Sequence, residues 1–200
     1  MIKTPLNQLL TNQFIILSFL KQKLETVNFI RWGYNSDLPI LINNRFLHSV
    51  AHIFYRSAIV EICTLFDDNR HQSNNFHLLT KRKKKFINEL ESSTVDAIKQ
   101  KLDYSKTFFT QEILDIRNEE ISHFRFKNGT VISLNNTFLP ELNSLHKLGE
   151  DIVEIASQGQ IDKSQVAGYI NQPRNPNLFS LQKLLRDVSG IDYSQLWKNQ

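Results

Sequence analysis

The chain is poor in the features that most directly announce a function. It has a single cysteine, Cys63, in 200 residues. One cysteine excludes an internal disulfide framework and any cysteine-rich zinc site. Set among Ile62, Leu65 and Phe66, it reads as a small buried hydrophobe. There is no Gly-rich phosphate loop, no internal repeat and no heptad array, which sets aside P-loop enzymes, solenoids and coiled coils. No Ser-His-Asp or Cys-His arrangement stands out. His48, His52, His71, His77 and His146 form no convincing metal set. His48 and His52 are spaced i, i+4 but have no matching third ligand, and helix packing explains them more simply. The apolar run 14–20 is too short to span a bilayer. It also starts too far in, without a small-residue cleavage site, for a secretory signal. The expectation is a cytoplasmic chain with no cofactor, no metal and no membrane contact.

What is present suits a helical domain. Hydrophobic residues make up 40% of the chain, slightly low but enough for a folded core, and fourteen are Phe, which supply large aromatic area for helix packing. The net charge is +4 and the pI about 9.1, a modest excess that favours a polyanionic partner without demonstrating one.

Periodicity divides the chain into helices. Thr4 as N-cap and Pro5 at the first helical position start one that ends near Gly33, with Leu6, Leu10, Leu17, Leu20, Leu24 and Val27 on its core face. Residues 34–42 read as a loop. A long second helix over 44–66 is apolar across a broad arc (Phe46, Val50, Ile53, Phe54, Ala58, Ile62, Leu65) and reads as central; Asp67, Asp68 and Asn69 end it. A polar turn over 69–75 leads into a short basic helix over 76–86, then a helix over 89–102 and an amphipathic helix over 107–124. Alternating apolar residues around Asn128 and Gly129 are compatible with a small β-hairpin near 124–132. A further helix covers 140–157, stopped by Gly159. The expected organisation is an all-α bundle of about five to seven helices over 1–157. A strap and a short C-terminal helix follow over 158–200, and that end packs either on the domain or on a second subunit.

The most informative stretch is residues 116–123, Ile-Arg-Asn-Glu-Glu-Ile-Ser-His. On a wheel of about 100° per residue, Ile113, Leu114, Ile116, Ile121 and Phe124 share one arc. Arg117 falls in the middle of that arc and His123 at its edge. A guanidinium on an apolar face must be paired or must face a cleft, because an unpaired buried charge is costly. Two readings are open. In the first, Arg117 is a structural ion pair with Glu120 or with a carboxylate on another helix, such as Asp67 or Asp68, and His123 is a helix-end residue favoured by the dipole. In the second, the set is a site. His123 can move protons near neutral pH, Arg117 can grip phosphate oxygens, and Asn118 can orient a phosphate or hydroxyl. Ser122 and Glu120 would support them. The run Lys81, Arg82, Lys83, Lys84, Lys85 is either a solvated face or a phosphate-contacting patch, and Arg125 and Lys127 add charge just past His123.

Arg117, Asn118, Ser122 and His123 resemble the signature of the HEPN superfamily, an Arg usually followed by a polar residue and a His with four to six residues between Arg and His; its members are small all-α proteins of which many are metal-independent ribonucleases. Three Arg/His pairs meet the bare spacing: Arg45/His52, Arg70/His77 and Arg117/His123. Only the last combines a polar residue after the Arg, a Ser before the His and a late amphipathic helix; Arg45 is followed by Phe46, and Arg70, followed by His71, falls in a loop. Residues 58–68 (AIVEICTLFDD) and 75–79 (NFHLL) resemble the abortive-infection AbiU-like branch, and the resemblance covers roughly 43–157. It implies a homodimer in which two such motifs line one cleft that cuts RNA. It also implies a role as a toxin or phage-defence effector, with an antitoxin or nucleotidyltransferase as a further partner. The alternative is a non-catalytic helical module of the same type that binds a nucleotide or a protein.

Overall fold

The computed structural model describes residues 5–35, 44–68, 73–81, 90–121, 138–158 and 176–189. They are predominantly helical, with no strand among the described residues. Six α-helices follow in order: α1 (Pro5–Asn35), α2 (Arg45–Phe66), α3 (Ser92–Ser105), α4 (Gln111–Asp115), α5 (Leu139–Ser157) and α6 (Pro176–Ser189). A 310 turn (Phe76–Leu79) lies between α2 and α3, and α4 runs on as a π-helical turn (Ile116–Ile121). The expected hairpin over 124–132 lies outside the described residues.

The ends of α2 follow from its capping residues. Asn44 holds extended backbone, and its side-chain oxygen accepts from the amides of Phe46 and Leu47 at 3.1 and 3.2 Å. At the other end Asp67 returns to extended backbone while its N–H still donates to Cys63 O at 3.0 Å. The buried face runs through Leu47, Ala51, Tyr55, Ala58, Ile59 and Ile62. That face is rotated from the arc the sequence suggested: Phe46 and Ile53 are 69% and 63% exposed. The helix has the length and mean hydropathy of a membrane span, yet nine of its residues are buried inside the bundle.

Two helices share the centre of the bundle: α1 packs on α2, α5 and α6, and α2 packs on α1, α5, α4, the 310 turn and the π turn. The contacts of α1 with α2 include Lys23 Nζ, which donates to Ser57 Oγ at 2.8 Å and pairs with Glu61. Its contacts with α5 include the ring Nε2 of His146 against Leu17 O at 3.1 Å. Gly149 makes this approach close: a Cβ there would lie 2.7 Å from Leu17 Cδ2. A second, smaller cluster forms where Leu185 of α6 is buried with Phe29, Ile30, Leu47 and Ala51. The C-terminal helix therefore packs back onto the domain.

The stretch expected as one helix over 107–124 is built differently. The helix α3 continues to Ser105, three residues past the expected end. A turn over 106–110 then breaks the chain, closed by Phe109 N donating to Ser105 O at 2.8 Å. The next helix starts only at Gln111 and changes to π winding at Ile116. The short basic helix is likewise reduced, within the described residues, to the 310 turn, capped by Asn75 Oδ1 accepting from Leu78 N at 3.1 Å.

Candidate functional site

The π turn carries Arg117 and Asn118 to the C-terminal end of α2. Arg117 Nη1 donates to Asp67 Oδ2 at 2.7 Å, and both side chains are only 18% exposed. Arg117 Nε donates to the side-chain oxygen of Asn118 at 3.1 Å. The pairing has a local cause. Asp67 caps a helix C-terminus, where the carbonyl ends of the peptide dipoles disfavour a carboxylate. A guanidinium placed there offsets both the carboxylate and the helix end. The Leu-Phe-Asp ending of α2 and the Arg-Asn of the motif are therefore two halves of one contact, fifty residues apart in the chain.

Cys63, one turn back on α2, is no nucleophile. Burial pushes its thiol up to about 12; Arg117 works against that shift and Asp67 adds to it. Lys81, the one member of the basic run that is described, pairs with Asp68. The backbone of Glu120 lies in the π turn. Ser122, His123, Arg125, Lys127 and Arg82, Lys83, Lys84 and Lys85 lie outside the described residues, as does the side chain of Glu120. The structure thus joins Arg117, Asn118 and the Asp67–Asp68 pair, with Lys81 beside them.

Next to this contact is a cavity of about 520 Å3, between the end of α2, the 310 turn, α3 and α4. Asp67 lines it, together with Phe66, His77, Lys99, Asp103, Lys106 and Phe109. Nothing in the sequence alone singled it out, since its walls come from four separate segments. Among the described residues no group of three or more His, Cys, Asp or Glu side chains is arranged to hold a metal ion.

No family model, curated protein or solved structure matches this chain.

Proposed function

We propose that this protein is an HEPN-type, metal-independent endoribonuclease that works as a homodimer in the cytoplasm. The observation that carries the reading is the Arg117–Asp67 contact on a π-helical turn. Such turns occur disproportionately at functional sites. Here one fixes a guanidinium and an adjacent Asn side chain at the start of the Arg-Asn-x-x-x-Ser-His sequence. Asp67 orients the guanidinium from one side, as a buried carboxylate does for other preorganised cationic groups.

In this reading His123 takes the proton from a ribose 2′-hydroxyl or gives one to the leaving oxygen. The 2′-oxygen bonds to phosphorus and the bond to the 5′-oxygen breaks. Arg117 stabilises the charge on the phosphorane oxygens, and Asn118 orients the phosphate. The products are a 2′,3′-cyclic phosphate and a 5′-hydroxyl. Two motifs related by a dimer axis would line one cleft, with Lys81 to Lys85, Arg125 and Lys127 contacting the strand. A toxin or abortive-infection effector, with an antitoxin or nucleotidyltransferase partner, fits such an activity. The test is incubation of single-stranded RNA with purified protein in excess chelator. Cyclic-phosphate ends and a dimer in sedimentation support the reading; intact RNA or a monomer at micromolar concentration opposes it.

A second reading, a non-catalytic module that binds a nucleotide or a protein partner, draws on the same contact. A guanidinium already neutralised by Asp67 is also a plain structural ion pair. A stable nucleotide or protein complex with no cleavage would decide for it.

A further inference from the structure

The cavity beside Asp67 has no part in the chemistry above. Its volume of about 520 Å3 falls within the range of roughly 300–1,000 Å3 usual for small-ligand sites. One wall is apolar. Phe109 is tilted 37° against Phe66 with ring centroids 6.3 Å apart, and Leu102 and Leu114 lie beside them. The rest of the lining is polar and includes His77, Thr80, Lys99, Asp103 and Lys106.

The charges at this cavity cancel in pairs. Asp67 is held by Arg117, Asp68 by Lys81, and Asp103 by Lys106 at 2.7 Å; Lys99 pairs with Asp96 at 2.8 Å. A bare anion or a bare cation gains little from such a lining. A planar, nearly neutral ring with donors and acceptors on one edge gains more. The Asp103–Lys106 pair is 72% and 71% exposed, and exposed pairs of this kind are weak. Both partners can therefore turn to a ligand at small cost. The Lys106 hydrogen bond and charge also hold the Asp103 carboxyl below its ordinary range, so it remains an acceptor.

Guanine matches this pattern and the other RNA bases do not. Its Watson–Crick edge sets the O6 acceptor next to two donors, N1–H and N2–H. A carboxylate accepts both donors while an ammonium serves O6. Adenine, cytosine and uracil each offer a single donor on that edge. An aromatic wall supplies the stacking surface that bases of single strands use.

We propose that this cavity is a guanine-base subsite, in which Phe109 and its apolar neighbours carry the ring, Asp103 accepts from N1–H and N2–H, and Lys106 donates to O6. As a part of the RNA site the subsite rests on the ribonuclease reading, and it would then direct cleavage next to guanosine. A free guanine nucleotide offers the same chemistry.

Calorimetric titration of the full chain with guanosine 5′-monophosphate and with adenosine 5′-monophosphate tests it. The guanine nucleotide should bind at least about tenfold more tightly. Asp103→Asn should abolish that preference, and Lys106→Gln should reduce it; circular dichroism checks that both variants remain folded. Equal affinity for the two nucleotides, no guanine binding at millimolar concentration, or an unchanged preference in folded Asp103→Asn overturns the subsite. A uridine oligonucleotide with one guanosine separates the sources. Tighter binding than the free nucleotide assigns the subsite to RNA, and equal or weaker binding assigns it to the free nucleotide. Guanine selectivity without RNA cleavage would remove the ribonuclease reading and keep the subsite, whereas cleavage without selectivity would do the reverse.

Discussion

Arg117 and Asp67 form a 2.7 Å ion pair that ties the π turn to the C-terminal cap of the longest apolar helix after α1. Both partners are largely withdrawn from water, so removing either takes a close opposite charge away from the other. Asp67→Ala and Arg117→Ala should each cost about 1–3 kcal/mol of stability. The double variant should cost clearly less than the sum of the two. Urea unfolding of the four proteins checks this, and strictly additive losses would show that the contact contributes nothing in solution.

Cys63 should be inert in the folded protein. With its thiol pushed up to about 12 by burial, almost no thiolate exists near pH 8. Iodoacetamide should label it only after denaturant unfolds the chain. Rapid labelling of native protein would mean that the end of α2 opens far more readily than its packing implies.

Acid should weaken the fold through two histidines. Burial holds His146 below its ordinary value of 6.5, partly opposed by Glu150 and the Leu17 carbonyl, with Lys21 and Glu25 also in range. His52 is lowered too, first by burial and then by Arg56 and His48. A lowered folded-state value means that the unfolded chain binds the proton first. The stabilisation is therefore complete above about pH 6.5 and lost as the pH falls below it. The urea midpoint should drop between pH 7.5 and 5.5, and His146→Gln, which can still donate to Leu17 O, should drop less. An equal drop in both proteins would place the pH dependence elsewhere.

Gly149→Ala should destabilise despite improving helix propensity. The added methyl would stand 2.7 Å from Leu17 Cδ2 and 3.3 Å from the Phe76 ring, and Leu17 is 1% exposed, with little room to retreat. Overpacking costs about 1–3 kcal/mol, against a propensity gain of about 1 kcal/mol. A fall in Tm of a few degrees is expected, and a rise would show that α1 and α5 separate easily.

Much of the helical order was legible because its signals are local. Asn44 and Asp67 mark the ends of α2, and Pro140 marks the start of α5, as side-chain caps and proline geometry dictate. The face of α2 was not legible to one residue. Phe46 and Ile53 point outward because Leu47 and Ala51 are the residues packed with Phe29 and Ile30 of α1. The π turn was hidden because a wheel assumes uniform winding, and the i→i+5 pattern after Ile116 breaks that assumption. Arg117's need for a partner followed from its place on an apolar arc. Identifying Asp67 as a partner required the tertiary contact, which joins segments fifty residues apart in the chain. The cavity was hidden for the same reason.

Under the proposed function, Arg117 and His123 cut RNA without a metal. The direct measurement is the rate of cleavage of single-stranded RNA in excess chelator by wild type, Arg117→Ala and His123→Ala, each shown to be folded. Wild type should cleave to 2′,3′-cyclic phosphate ends. Each substitution should slow cleavage by about 10²–10³-fold or more, the usual weight of an oxyanion-stabilising group or an acid–base group. Equal rates in the three proteins, or no cleavage by wild type, would contradict that function.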